Sequence, residues 1–211
     1  MQIFIASSNQ GKIREIRAIL EDKNLDLLSV LDTDKLKKLN IRIPKSFDVE
    51  ENGQTFKENA LLKACAYAEL TNLPTIADDS GLEVEVLNGF PSVNSNRWFI
   101  GNTHERNLAL LKKIQNKKNR QARFCSVICF FDPKTQQTKF FDGEIKGKIA
   151  LESKGNKIEG FGYDPIFIPE GFSQSFSELG VEFKNTISHR RQALVKLSQF
   201  VFQDKHLVQP E

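Results

Sequence analysis

Cysteine is scarce: Cys65, Cys125 and Cys129 are the only three in 211 residues. An odd number in a chain this long makes no disulfide framework and fits a reducing compartment. The three histidines, His104, His189 and His206, are too scattered for a structural zinc site. No run approaches the ~20 apolar residues of a membrane span. Residues 1–6 are apolar but lack the basic start and long apolar stretch of a signal peptide. The expectation is a cytoplasmic protein with no membrane partner. Strong charge of one sign is missing too. A formal net charge of +3 is far from the concentrated basic stripe of proteins that track phosphate backbones, so no nucleic-acid partner is expected. Internal repeats, low-complexity tracts and Pro/Gly-rich linkers are absent.

What is present is ordinary for a globular chain: 39% hydrophobic and 27% charged residues, enough to bury most of the surface without covalent staples. The length suits one large domain or two small lobes. Residues 2–6 read as a short buried strand and residues 7–12 as a polar loop. Ile13, Ile16 and Leu20 then recur at helical spacing. The charge run at 35–38 reads as a solvated face. Thr55-Phe56-Lys57-Glu58 is a capping-box pattern, followed by Phe56, Ala60, Ala64 and Tyr67 on one helical face, and that helix should end before Pro74. Residues 75–77 read as a strand entering an acidic turn at Asp78-Asp79-Ser80-Gly81. Glu83-Val84-Glu85-Val86 alternates like a half-buried strand, and Asn88-Gly89 is a turn signal. A helix is expected over 103–114, with Leu108 and Leu111 on its rows. Residues 123–131 read as a central strand. Separate strands are expected over 137–141 and 144–149. Ser188 is placed to cap a last helix carrying Leu194, Leu197 and Val201. The mixture argues for an α/β protein with a mixed sheet.

Five stretches have chemical potential. Ser7, Ser8, Asn9, Gln10, Gly11 and Lys12 lie between a strand and a helix N-terminus, where free N–H groups and a lysine suit phosphate; an ordinary helix cap explains them equally well. Asp78 and Asp79 follow an apolar strand and offer the hard oxygens that Mg²⁺ prefers. Successive strand side chains point to opposite faces, so only one of the two need meet a metal. Taken alone, the stretch reads equally as an Asx-rich turn. Glu50-Glu51-Asn52-Gly53 offers another metal oxygen or a solvated loop. Gly160-Phe161-Gly162-Tyr163-Asp164-Pro165 puts two aromatics beside a carboxylate, suited to stacking on a planar base or to packing in a core. Lys184 and Ser188-His189-Arg190-Arg191 offer cations for phosphate or a carbonyl edge, or a surface basic patch.

Their order along the chain resembles the inosine triphosphate pyrophosphatase family, the XTP/dITP diphosphatases. The matching stretches are Ser-Asn-Gln-Gly-Lys, Glu-Glu-Asn-Gly-Gln-Thr-Phe-Lys-Glu-Asn-Ala, Ala-Asp-Asp-Ser-Gly-Leu, Gly-Phe-Gly-Tyr-Asp-Pro-Ile-Phe and Ile-Ser-His-Arg, spread over roughly residues 1–200. The resemblance implies an elongated mixed β-sheet with flanking helices, forming a single domain over residues 1–211 whose two lobes enclose a nucleotide cleft, and a homodimer. It implies hydrolysis of ITP, dITP and XTP to the monophosphate and pyrophosphate. It places the triphosphate on Ser7, Ser8, Asn9, Gln10, Gly11 and Lys12. Mg²⁺ falls to Glu50 and Asp79, with Asp79 also the proton acceptor, and Ser80 touches substrate. Phe161, Gly162 and Tyr163 take the base with Asp164 on its edge. Lys184, His189 and Arg190 complete recognition, and Lys63 is a further candidate. The stretch Pro91-Ser92-Val93-Asn94-Ser95-Asn96-Arg97-Trp98 departs from the family pattern at Asn94 and Asn96, so no site role is carried onto it. Two alternatives stand beside this reading: a pyrophosphatase for other modified nucleotides, and a nucleotide-binding module without turnover.

Overall fold

The computed structural model describes residues 1–21, 25–155 and 162–203. Six strands form one sheet in the order β2-β1-β3-β4-β5-β6. β1 (Gln2–Ile5) pairs in parallel with both β2 (Asp26–Ser29) and β3 (Thr75–Val84). β4 (Gln121–Asp132) and β5 (Gln137–Ile149) follow, and β5 pairs antiparallel with β6 (Phe167–Pro169). Parallel and antiparallel pairs together make the sheet mixed. The chain divides into two compact units. The first takes Met1–Asp79, Val127–Asp142 and the residues from Arg190 onward; the second takes Ser80–Ser126 and Gly143–His189.

In the first unit the strand period of two sorts the core. Ile3 and Ile5 of β1 pack with α1 (Gln10–Leu20), through Ile13, Ile16 and Leu20, and with α7 (His189–Gln203), through Leu194, Leu197 and Val201. Phe4 and Ala6 face the other way, onto Ala60, Ala64 and Tyr67 of α3 (Phe56–Thr71). Ile76 of β3 joins the α1/α7 side and Ala77 the α3 side. Helices thus cover both faces of these strands, as parallel strands require.

The capping box at Thr55 forms as its sequence predicts. The Glu58 N–H donates to Thr55 Oγ1 at 3.1 Å, and the Thr55 N–H donates to Glu58 Oε2 at 3.1 Å. At the far end Asn72 turns left-handed (φ 52°) and its N–H donates to the Ala68 carbonyl, which stops α3 before Pro74. Thr55→Ala is expected to cost about 1 kcal/mol, read as a lower urea midpoint. An unchanged midpoint would show that the cap contributes nothing. The charge run at 35–38 lies on α2 (Thr33–Lys38), which is exposed except at Leu36.

The second unit packs Leu82 and Val84 of β3 with Leu110 and Leu111 of α4 (Thr103–Lys113), Phe124, Tyr163, Phe167 and Phe176. Several local expectations are corrected here. Asp78-Asp79-Ser80-Gly81 is no turn; β3 runs straight through it to Val84. Glu85–Leu87 is a 3-10 helix rather than the end of a strand. β5 is continuous across Asp142-Gly143, because pairing along its length outweighs a local turn signal. The buried row of α4 holds Asn107, Leu110 and Leu111, while Leu108 is 47% exposed. The short helices α5 (Phe176–Leu179) and α6 (Val181–Ile187) were not anticipated; a capping box at Ser175 starts the first.

Candidate functional site

Because β3 continues through the acidic pair, Asp78 and Asp79 point to opposite sides of the strand, and each meets a lysine from a different helix. Asp78 follows Ile76 toward α1 and α7. Its Oδ2 lies 2.7 Å from Lys12 Nζ and 3.2 Å from Arg190 Nη2. The other arm of the guanidinium, Nη1, donates to Glu15 Oε2. Burial alone would lower the Arg190 guanidinium, but Asp78 and Glu15 outweigh it and hold it above its ordinary value.

Asp79 follows Ala77 toward α3. Its Oδ1 accepts from Lys63 Nζ at 2.9 Å and its Oδ2 from Asn59 Nδ2 at 3.3 Å. Lys63 also pairs with Glu51 Oε1 at 3.2 Å. Burial pushes the Asp79 carboxyl up to about 6, against the pull of Lys63 and Lys12. Burial also raises Glu51, but Lys63, Asp79 and Lys12 outweigh it and keep Glu51 below its usual range. The two carboxylates share one neighbourhood and the Lys63 ammonium, so one of them holds its proton more tightly.

The loop before α1 is built as a helix cap. Asn9 is its N-cap, accepting from the Lys12 N–H at 3.2 Å, and Ser7 Oγ accepts from the Asn9 N–H at 3.1 Å. Ser8 and Gln10 are exposed and Gly11 is half-buried. A helix N-terminus with exposed polar neighbours can receive an anion.

In the second unit Asp164 Oδ2 and Lys184 Nζ form a buried ion pair at 2.8 Å. His189 is buried and lies flat on Phe124, with centroids 4.9 Å apart and planes 11° apart. Ser80 is half-buried. Tyr163 is only 3% exposed. Its hydroxyl accepts from Trp98 Nε1 at 2.6 Å and donates to the Ser95 carbonyl at 2.6 Å. The Arg106 guanidinium sits 5.2 Å from its ring centroid. Tyr163 is therefore buried here, with one ring face covered by Arg106. Gly162 takes φ 63°, and its carbonyl accepts from Asn107 Nδ2 at 3.1 Å. Phe161 lies outside the described residues.

The structure thus brings together Lys12, Lys63, Asp78, Asp79 and Arg190 in the first unit, and Tyr163, Asp164, Lys184 and His189 in the second. Arg190 is 1% exposed, so it stands at the centre of an ion-pair network rather than at a surface. Glu50 is exposed with no partner among the described residues; its neighbour Glu51 is the acid that reaches Lys63 and Asp79. Sequence reasoning missed Glu15, Asn59, Ser95, Trp98 and Arg106. Two of these carry a local signal. Glu15 lies three residues after Lys12 and Asn59 four before Lys63, both on the same helical face as their lysine.

Comparison with known proteins agrees with the motifs. The Ham1 family model matches residues 3–200. The dITP/XTP pyrophosphatase of Staphylococcus aureus (strain MW2) is 42% identical over 208 residues, covering 98% of this chain and 99% of that protein. The dITP/XTP pyrophosphatase of Aquifex aeolicus is 39% identical over 208 residues, covering 93% of this chain and 95% of that protein. Among solved structures, the Staphylococcus aureus Ham1 protein matches with a TM-score of 0.80 and 39% identity, over 97% of this chain and 100% of that one. A HAM1 protein from Coxiella burnetii matches with a TM-score of 0.81 and 34% identity, over 96% and 99%.

Proposed function

The chain belongs to the Ham1 family, and from that premise we propose that it hydrolyses the nonstandard purine nucleoside triphosphates ITP, dITP and XTP to the monophosphate and pyrophosphate. The observation that carries the reading is the pair of consecutive buried aspartates, each holding a lysine from a different helix. Relatives named dITP/XTP pyrophosphatases support the substrate class. A homodimer is part of the same reading, by resemblance, and a cytoplasmic location is the reading that the scarce cysteines support.

Phosphoryl transfer depends mainly on positioning and on charge neutralisation. Lys12 and the cap formed by Ser7, Ser8, Asn9, Gln10 and Gly11 would take negative phosphate oxygens. Asp79 is the catalytic carboxylate in this proposal. The proton-acceptor role comes from the resemblance; a Mg²⁺ held by the same carboxylate would lower its basicity. Lys63 and Asn59 hold both of its oxygens in place.

The acidic cluster fits Mg²⁺. Asp79 and Glu51 sit on the same ammonium, Lys63 Nζ, at 2.9 and 3.2 Å, so their hard carboxylate oxygens are close neighbours. That suits an ion held by one or two carboxylates, with substrate phosphates and water completing its shell. Asp79 is desolvated and shares a single lysine with Glu51, so a second cation would relieve its burial. Asp79 and the Glu50–Glu51 pair would hold the ion, which would supply Lewis-acid neutralisation of the phosphate oxygens.

For the base, Asp164 and Lys184 set an acceptor beside a donor, complementary to the N1–H and 6-oxo group of hypoxanthine and xanthine. Adenine reverses that pattern, and a site built for such bonds rejects the mismatched base by roughly 10⁴-fold. His189 and Ser80 are assigned to substrate, and Arg190 to holding Asp78. Stacking is assigned to Phe161, with Tyr163 anchoring the segment from Ser95 and Trp98. Phe161→Ala is expected to raise KM for ITP several-fold with little change in kcat; an unchanged KM removes the stacking role. The test of the function is turnover of ITP, XTP, dITP, GTP, ATP and a modified pyrimidine nucleoside triphosphate, each with and without Mg²⁺. Mg²⁺-dependent preference for the first three is expected. Preference for a modified pyrimidine nucleotide would favour a different pyrophosphatase, and binding without turnover a nucleotide-binding module.

A further inference from the structure

Lys12, Asp78, Arg190 and Glu15 form a row of alternating charge. Lys12 and Asp78 pair at 2.7 Å, Asp78 and Arg190 at 3.2 Å, and Arg190 reaches Glu15 through Nη1. Lys12 and Glu15 are three apart on α1, so both ends of the row stand on one turn of that helix. Two positive and two negative groups sum to zero. All four are under 9% exposed: Lys12 6%, Glu15 8%, Asp78 3% and Arg190 1%.

Stability does not account for such a cluster. Burying charges costs several kcal/mol per ion, and well-packed apolar residues of similar volume are often as stable or more so. The burial does fix geometry. Lys12 Nζ and Arg190 Nη2 share a single oxygen, Asp78 Oδ2, so whatever draws the guanidinium away loosens its hold on that oxygen and sets where the ammonium rests. Glu15 supplies the counter-pull. Its other oxygen, Oε1, is buried with no hydrogen-bond partner among the described residues, so its acceptor strength is directed at Arg190. We infer that Glu15 is a positioning residue: through Arg190 and Asp78 it fixes the Lys12 ammonium where a polyphosphate is received. This rests on the proposed role of Lys12 as a phosphate ligand.

With Glu15 neutralised, Arg190 loses that carboxylate, leans more on Asp78, and competes with Lys12 for Oδ2. The test is a double-mutant cycle on the full-length protein with Glu15→Gln, Lys12→Ala and the double variant. It is read both as kcat/KM for ITP and as the Kd of inorganic tripolyphosphate by calorimetry. Glu15→Gln is expected to weaken both about tenfold in the Lys12 protein and less than twofold in the Lys12→Ala protein. Glu15→Asp, which keeps the charge, is expected to recover part of the loss. Losses that multiply across the cycle, or a lowered Tm with tripolyphosphate binding unchanged, would overturn the inference and leave Glu15 as a packing residue. Coupled tripolyphosphate binding without ITP turnover would uphold the inference while removing the proposed activity. Should Glu15→Gln not fold, the cycle is run with Glu15→Asp, whose smaller loss must still vanish in the Lys12→Ala background.

Discussion

Asp79→Asn is expected to lower kcat for ITP about a thousandfold or more, in a protein that unfolds close to the wild-type urea midpoint. The activity loss follows from replacing a carboxylate with an amide of the same shape. The amide cannot accept a proton, is a poor Mg²⁺ oxygen and leaves Lys63 with Glu51 alone. Removing one preorganised group at a reacting centre typically costs a hundredfold to several ten-thousandfold. Stability should move by less than about 1 kcal/mol. Asp79 is penalised by its own burial, which is why its carboxyl is raised to about 6, so neutralising it relieves that penalty while Lys63 keeps a partner. Turnover within tenfold of wild type would remove Asp79 from the chemistry.

One residue earlier the expected outcome reverses in emphasis. Asp78→Asn should cost about 3–5 kcal/mol of stability, because it leaves two buried cations, Lys12 and Arg190, without the carboxylate between them. For a chain of this size that is on the order of 10 °C in Tm. Urea and thermal unfolding measure it directly. Activity should also fall, since Lys12 loses its anchor. A variant as stable as wild type would mean that Asp78 does not hold the two cations as the structure shows. The contrast between neighbours follows from the strand: period two sends one side chain to α1 and α7 and the next to α3.

The sequence made much of this legible, and where it did not, the cause was distance along the chain. The cap at Thr55, the stop before Pro74 and the split of Asp78 from Asp79 are local facts that residue type and period can state. Local signals failed where sheet pairing overrode them. Asp78-Asp79-Ser80-Gly81 has turn composition, yet β3 continues through it, and β5 runs straight across Asp142-Gly143. The site partners that went unseen are mostly nonlocal. Trp98 meets Tyr163 across 65 positions and Arg190 meets Glu15 across 175; neither pairing has a spacing to read. The loop at 91–98 departs from the family pattern at Asn94 and Asn96, which gives no motif to read there. The structure gives its Ser95 and Trp98 a plain task, holding the Tyr163 hydroxyl from both sides. Tyr163 shows the limit of motif reasoning. Two aromatics around a glycine suggest a base clamp, but burial shows that one of them is already packed beneath Arg106.

The central claim is cleavage between the α- and β-phosphates, and the products decide it. ITP incubated with the protein and Mg²⁺, followed by ion chromatography, should yield IMP and pyrophosphate in equal amounts, with no IDP. Accumulation of IDP and orthophosphate, or intact ITP after prolonged incubation with folded protein, would contradict it.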